Sequence, residues 1–213
     1  MKKIAGIILA GGQSRRMGGG DKSLLPLRDR PVLAEVVDRL VPQVGPLALS
    51  ANGDPGRFAA FSLPVVPDTL EGSHGPLAGI EAGLSWVRAQ CPGVAFAVTV
   101  PGDTPFIPAD LVARLVEGKG EASMAVAVSA VGLHPVVGLW PVGMADALAD
   151  ALARGDRRAS QFVRTQGAAE VFFAPVSIAG TEVDPFFNIN TPEDIDYARE
   201  LTARASPSAN DSR

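Results

Sequence analysis

Lys22, Asp103, Arg15 and Arg16 are the side chains of this 213-residue chain whose types and settings invite chemistry. The two arginines lie between Gly11-Gly12 and Gly18-Gly19-Gly20, and Asp21-Lys22 closes the segment. Glycines let main-chain N–H groups approach a ligand and adopt positive φ, while guanidinium and ammonium groups supply charge, so the segment reads as a site for a polyphosphate. Asp103 closes the most hydrophobic run of the chain, between Pro101-Gly102 and Thr104-Pro105, which holds a carboxylate where that run ends. Such a carboxylate can bind Mg²⁺, which takes hard oxygen ligands and usually only one or two protein carboxylates beside substrate phosphates.

Two common glycine motifs are excluded. A Walker A loop has glycine directly before its lysine, whereas Asp21 precedes Lys22. A dinucleotide fingerprint fails because Ser23 stands where a third small turn residue would follow Gly18 and Gly20. A plain glycine-rich surface loop is the remaining alternative, and Arg15, Arg16 and Lys22 within one short window argue against it.

The elements that must position these residues follow from the apolar pattern. Residues 4–10 are almost continuously apolar, as in a strand covered on both faces of a parallel sheet. Helical spacing recurs after Pro31, through Val44. Residues 47–51 and 63–66 read as short strands ending at Asn52-Gly53 and Pro67-Asp68. A second glycine-containing loop over 72–79 leads into a helix, residues 94–100 make a strand, and 108–116 a helix. Strands alternating with helices predict a doubly wound, mostly parallel α/β sheet. Residues 122–130 and 136–140 then read as a hairpin around Gly132, adding antiparallel character. Helices are expected over 143–153 and up to Gln166, and a strand over 169–176. A terminal helix is expected with Thr191 as cap, Pro192 at its first position and acids in its first turn. Residues 1–203 read as a single domain and 204–213 as a disordered tail.

In an open α/β sheet, ligands bind beyond the carboxyl ends of the strands. Lys22, Asn52, Asp68 and Asp103 each follow a predicted strand. Each alone is an ordinary turn residue, but four at one rim beside a cationic loop make a site. Asn188 and Asn190 alternate, so an extended segment would show both amides on one face, although a turn before the Thr191 cap explains them equally. His74, in the second loop, could touch a substrate, and His134 before Pro135 reads as structural. No Ser-His-Asp or Cys-His set is evident.

A net charge of −4 argues against sequence-independent binding to duplex nucleic acid. The single cysteine, Cys91, excludes an internal disulfide framework and suits a reducing cytosol. No run approaches the roughly 18 apolar residues of a membrane span, and Met1-Lys2-Lys3 with its short apolar run lacks a cleavage site. The expected place is the cytoplasm.

The pattern L-A-G-G-x-S-x-R-M-G-x-x-D-K over residues 9–22 resembles the opening of nucleotidyltransferases that act on sugar, polyol or pterin phosphates. The closest likeness is to the molybdenum cofactor guanylyltransferase family. The P-x-D-x-P-F segment at 101–106, G-P-L-A-G-I at 75–80, H-P-V-V-G-L-W at 134–140 and F-F-N-I-N-T-P-E-D at 186–194 resemble further segments of that family. The resemblance implies transfer of GMP from GTP to the terminal phosphate of molybdopterin, with Mg²⁺ as cofactor and pyrophosphate as by-product. It implies Arg16, Lys22 and Asp103 as catalytic residues, with Asp103 the metal ligand. Leu9, Ala10, Gly11, Gly12, Lys22, Asn52, Asp68 and Asp103 would bind nucleotide. Gly19, Gly75, Gly79, Asn188 and Asn190, with Arg157 or Arg158 on a phosphate, would bind the acceptor, so the N-terminal half serves the nucleotide and the C-terminal half the acceptor. Molybdenum-cofactor delivery proteins and molybdoenzymes would be partners.

Gly11 bears on base choice, since cytosine-using relatives more often carry Ala-Ala-Gly across residues 10–12. The Gly18-Gly19-Gly20 run is a departure, because the family is often less glycine-rich there. A cytidylyltransferase of the same fold and a non-catalytic nucleotide-binding cofactor chaperone are the alternatives.

Overall fold

The computed structural model of the chain describes residues 4–11, 21–69 and 75–205. Its centre is β1 (Ile4–Leu9), whose side chains alternate between two buried layers. Ile8 faces one layer, while Ala5 and Ile7 face the other, all fully buried. That two-sided burial is why the strand reads as a continuous apolar run.

Around it stand β2 (Leu47–Ser50), β3 (Val65–Val66), β4 (Phe96–Pro101), β5 (Ala125–Ser129), β6 (Gly132–Pro141) and β7 (Ala169–Phe172). The seven-stranded sheet has the order β3-β2-β1-β4-β6-β5-β7. β1 to β4 pair in parallel, β6 runs antiparallel to both β4 and β5, and β7 pairs in parallel with β5. The doubly wound, mostly parallel sheet with an antiparallel strand in the second half is therefore as expected.

Helices cover both faces. α1 (Val32–Leu40) and α3 (Leu111–Lys119) pack through Leu33, Val36, Leu40, Leu111 and Leu115 on one side. α2 (Pro76–Gln90), α4 (Ala145–Ala153) and α5 (Ala159–Thr165) close the other over Trp140, Ile80, Leu84, Leu148 and Phe162. Each such buried aliphatic side chain contributes about 1.5–3 kcal/mol. A third, smaller core lies beneath α6 (Pro192–Ala205) and the hairpin of β8 (Val176–Ile178) and β9 (Thr181–Val183), where Ile189, Ile195 and Leu201 meet Leu27, Val32 and Phe106. Among the described residues no helix is long and apolar enough to cross a membrane.

Three boundaries differ from the sequence reading, each for a tertiary or turn-level reason. α3 begins at Leu111 rather than Pro108, because Gln43 reaches across to satisfy its start. Gln43 Oε1 accepts from Val112 N (3.0 Å) and its Nε2 donates to Pro108 O (2.9 Å). β6 begins at Gly132 and takes in His134 and Pro135, since the register jump between Val126 and Ala127 leaves Pro135 unpaired in a bulge. The strand expected over 169–176 ends at Phe172, and residues 176–183 form the separate hairpin. That hairpin turns at Ala179 (φ +49°) and Gly180 (φ +80°), the left-handed pair that fits the twist of a two-residue turn. The terminal helix has the expected cap: Asp194 N donates to Thr191 Oγ1 (3.2 Å), and Asp194 Oδ2 accepts from Thr191 N (2.8 Å).

Candidate active site

β1 lies between β2 and β4, and the crossovers that leave it and enter β4 run over opposite faces, so the carboxyl ends of β1 and β4 flank a topological switch point. Backbone bonds hold this rim. Gly102 N donates to Leu9 O (2.9 Å), and Ala10 N donates to Ser50 O (2.8 Å). Gly11 is exposed beside the end of β2, where a Cβ would sit 3.5 Å from Ala51 Cα and 3.8 Å from Asn52 N. Gly12, Arg16 and Gly19, with Arg15 and His74, lie outside the described residues.

Asn52 and Asp68 grip each other across the ends of β2 and β3. Asn52 Nδ2 donates to Asp68 Oδ2 (2.8 Å), and Asp68 N donates to Asn52 Oδ1 (2.8 Å). Arg57 Nη2 donates to the Asn52 carbonyl (2.5 Å) and the same guanidinium pairs with Asp21, tying the exit of the first loop to this edge. Behind them runs α2, whose Gly79 is required by close approach: a Cβ would lie 2.7 Å from Ser50 Oγ and 3.2 Å from Leu9 Cδ2. Glu81 of the same helix is buried and accepts from Thr69 Oγ1 (2.5 Å) and Ser85 Oγ (2.8 Å), anchoring the residue after Asp68.

Across the crevice, the segment 188–190 is drawn against Asp103 and Lys22. Ile189 N donates to Asp103 O (3.0 Å), Thr104 Oγ1 donates to Asn188 Oδ1, and Lys22 Nζ donates to Asn190 Oδ1 (2.7 Å). Ile189 is fully buried while Asn188 and Asn190 are exposed, so the alternation puts both amides on the solvent-facing side. Asp103 itself is half-buried; burial raises its pKa above the ordinary carboxylate value, and the Lys22 charge opposes that rise. A carboxylate whose charge is incompletely compensated at a rim suits a divalent cation shared with phosphate oxygens. Among the described residues no cluster of three or more His, Cys, Asp or Glu could hold a metal. Ser23, directly after Lys22, is 4% exposed with a hydroxyl that has no hydrogen-bond partner among the described residues, and its Cβ lies 3.3 Å from where a Cβ on Gly102 would be.

Gly75 and Arg157 form a second patch. Gly75 starts α2 at φ +74°, a left-handed conformation that disfavours any Cβ, and its Cβ position is 3.7 Å from the Arg157 carbonyl. Arg157 and Arg158 are exposed on the turn between α4 and α5, beside a cleft of about 400 Å³ lined also by Arg154 and Gln161.

The structure thus brings Lys22, Asp103, Asn188 and Asn190 into one centre, Leu9, Ala10, Gly11, Asn52, Asp68 and Gly79 along one edge, and Gly75 with Arg157 at a third point. Sequence reasoning passed over Ser23, Arg57, Glu81 and Thr104. Thr104 carried a signal, being inside the same proline-flanked segment as Asp103; the others depend on contacts between distant residues.

A mostly parallel sheet with a crevice at its switch point defines a doubly wound α/β protein. The comparisons narrow that class. The family profile described as "MobA-like NTP transferase domain" matches residues 6–171. The chain is 54% identical over 203 residues to a molybdenum cofactor guanylyltransferase of Mesorhizobium japonicum, covering 94% of this chain and 96% of that one. It is 46% identical to the protein of the same name from Rhodopseudomonas palustris, with 94% of each chain covered. Among solved structures, molybdopterin-guanine dinucleotide biosynthesis protein A from Archaeoglobus fulgidus superposes with a TM-score of 0.69 at 22% identity, over 94% of this chain and 100% of that one, a likeness of fold. The chain belongs to the MobA-like NTP transferase family.

Proposed function

We propose that this chain is a cytoplasmic, Mg²⁺-dependent guanylyltransferase that joins GMP from GTP to the terminal phosphate of molybdopterin. The observation that carries the reading is the convergence of Lys22, Asp103 and residues 188–190 at the switch point. Leu9, Ala10 and Gly11, with Gly12 of the first loop, would bind nucleotide beside the Asn52–Asp68 pair. A carboxylate only accepts hydrogen bonds, and Asp68, held by Asn52, is matched to the adjacent ring N–H and amino donors of guanine. Gly79, an acceptor-side residue by the family resemblance, would serve both sides indirectly, by letting α2 lie close to the rim beside Asp68.

A phosphate monoester near neutral pH carries almost two negative charges and needs no general base. Its oxygen attacks the α-phosphorus of GTP, a new P–O–P bond forms, and the electron pair of the broken α–β bond leaves with pyrophosphate. The protein's work is positioning and charge neutralisation. Lys22 is held at the crevice by Asn190, so its ammonium group would face the phosphates with little reorganisation, joined by Arg16. Mg²⁺ held by Asp103 would supply further positive charge to the phosphate oxygens. Asn188 and Asn190 would bind the pterin edge through their amides, with Gly19, Gly75 and Arg157 or Arg158 on the acceptor's phosphate side. One domain over residues 1–203 would serve nucleotide with its first half and acceptor with its second, passing its product to delivery proteins and molybdoenzymes.

The test is pyrophosphate release with Mg²⁺ and molybdenum-loaded molybdopterin, GTP against CTP. Release with GTP and not CTP is expected. Release with CTP would move the chain to the cytosine-using branch, and nucleotide binding without release would make it a cofactor chaperone.

A further inference from the structure

Ser129, His134 and Asp184 form a polar cluster that the proposed chemistry leaves unused. Ser129, only 5% exposed, ends β5, His134 lies on β6, and Asp184 follows β9. Ser129 Oγ is 2.7 Å from His134 Nε2 and 2.5 Å from Asp184 Oδ2, while His134 Nε2 is 3.9 Å from Asp184 Oδ1. Sequence spacing showed no Ser-His-Asp set; the tertiary structure assembles one, with serine rather than histidine in the middle.

That order decides what the cluster can do. A hydroxyl has one proton and an ionised carboxylate only accepts, so Ser129 donates to Asp184 and accepts from the His134 Nε2–H. Val131 N also donates to Ser129 Oγ, at 3.3 Å. A nucleophilic serine needs an unprotonated ring nitrogen to receive its proton, and here the facing nitrogen carries one. Burial lowers the His134 pKa, with Asp184 pulling the other way.

The cluster instead reaches toward the crevice. Asp184 Oδ1 accepts from Phe186 N (2.8 Å), and the Phe186 ring lies 4.7 Å from the His134 ring and edge-on to Phe173 at 5.2 Å. Phe187 then packs against Phe106 and Tyr197, and the chain arrives at Asn188, Ile189 and Asn190 on Thr104, Asp103 and Lys22. The segment is held at its far end by the cluster and at its near end by the rim.

We propose that Ser129, His134 and Asp184 are positioning residues, a clasp that sets residues 188–190 against Lys22 and Asp103 so that transfer to the acceptor depends on it while nucleotide binding does not. The kinetic half rests on the acceptor role proposed above; the structural half does not.

The test compares the full-length chain with Ser129→Ala, His134→Ala and His134→Gln. It reads amide hydrogen exchange at Ile189 against β1, GTP affinity by titration, and KM for molybdopterin and kcat by pyrophosphate release. Ser129→Ala and His134→Ala are expected to speed Ile189 exchange by about tenfold, the scale of one lost hydrogen bond, with β1 unchanged. They should also cut kcat/KM for molybdopterin by about tenfold with GTP affinity intact, while His134→Gln, which keeps an N–H donor for Ser129, restores most of both. Unchanged Ile189 exchange in the two alanine variants overturns the clasp. Equal loss of GTP affinity or of β1 protection overturns it in favour of general structural support, and His134→Gln behaving like His134→Ala overturns the hydrogen-bond account. If the wild type releases no pyrophosphate, the proposed function fails, and the exchange data still decide the clasp.

Discussion

Asp103 shows how a single residue can be costly to the fold and useful to the site. Burial raises its pKa more than Lys22 lowers it, so in the window between its ordinary and raised values the folded chain holds a proton that the unfolded chain has lost. Stability from this group therefore falls as pH rises through that window, and the penalty persists at neutral pH. Asp103→Asn removes the charge. It is expected to raise the Tm of the metal-free protein at pH 7, by about 2–4 °C for each kcal/mol released, with the gain disappearing below the ordinary carboxylate value of about 3.9. The same variant should lower pyrophosphate release by about 10²–10³-fold, the usual scale for losing one electrostatic contact to a transition state. Thermal melts across pH with and without Mg²⁺ check the first part, since Mg²⁺ should stabilise the wild type and leave Asp103→Asn unmoved. A variant that melts lower at pH 7 would mean that the Lys22 pairing outweighs burial.

Among the elements, α2 does the most to shape the rim, and it does so through what it lacks. Gly79 lies where a Cβ would be 2.7 Å from Ser50 Oγ, itself buried, and 3.7 Å from Asp68 Oδ1. In an open helix, Gly→Ala gains about 1 kcal/mol of propensity. Here overpacking costs about 1–3 kcal/mol, so the steric term should win. Gly79→Ala is expected to lower Tm and, by pushing α2 away from β1 and β2, to weaken GTP binding through Asp68. Gly143→Ala, at a position with nothing within 4 Å of its Cβ, is the matched control and should do neither. Chemical denaturation and nucleotide titration of both variants read the difference.

At the scale of the whole molecule, the sheet joins what the chain presents as separate halves. β4 of the first half pairs with β6 of the second, and α6 closes a core built partly from Leu27 and Val32. Such interleaving predicts one cooperative unit. Urea unfolding of a Trp86→Phe variant, followed by the fluorescence of the remaining Trp140 and by far-UV circular dichroism, should give coincident transitions, because Trp140 is fully buried at the β4–β6 junction. Separated transitions would mean that the halves unfold independently.

How much of this was legible from residues alone depended on the range of the interaction. The strands and helices of the first half follow from local periodicity, because a strand buried on both faces must be apolar and a helix on a sheet must show one apolar stripe. The strand-end placement of Asn52, Asp68 and Asp103 follows as well, since each stands just after such a run, and Lys22 closes the loop that leaves the first. The split of the late strand into β7 and the β8–β9 hairpin was written in Pro175 and in Ala179-Gly180, among the β-branched and apolar residues around them. Nothing local announces that Gln43 satisfies the start of α3, or that Ser129, His134 and Asp184 meet. Those contacts join residues 69 positions apart in the first case and 55 in the second. Sequence alone determined which side chains stand at the ends of strands, a matter of short-range pattern. The tertiary structure decided which of them touch, because a hydrogen bond between distant residues depends on the path of all the chain between them.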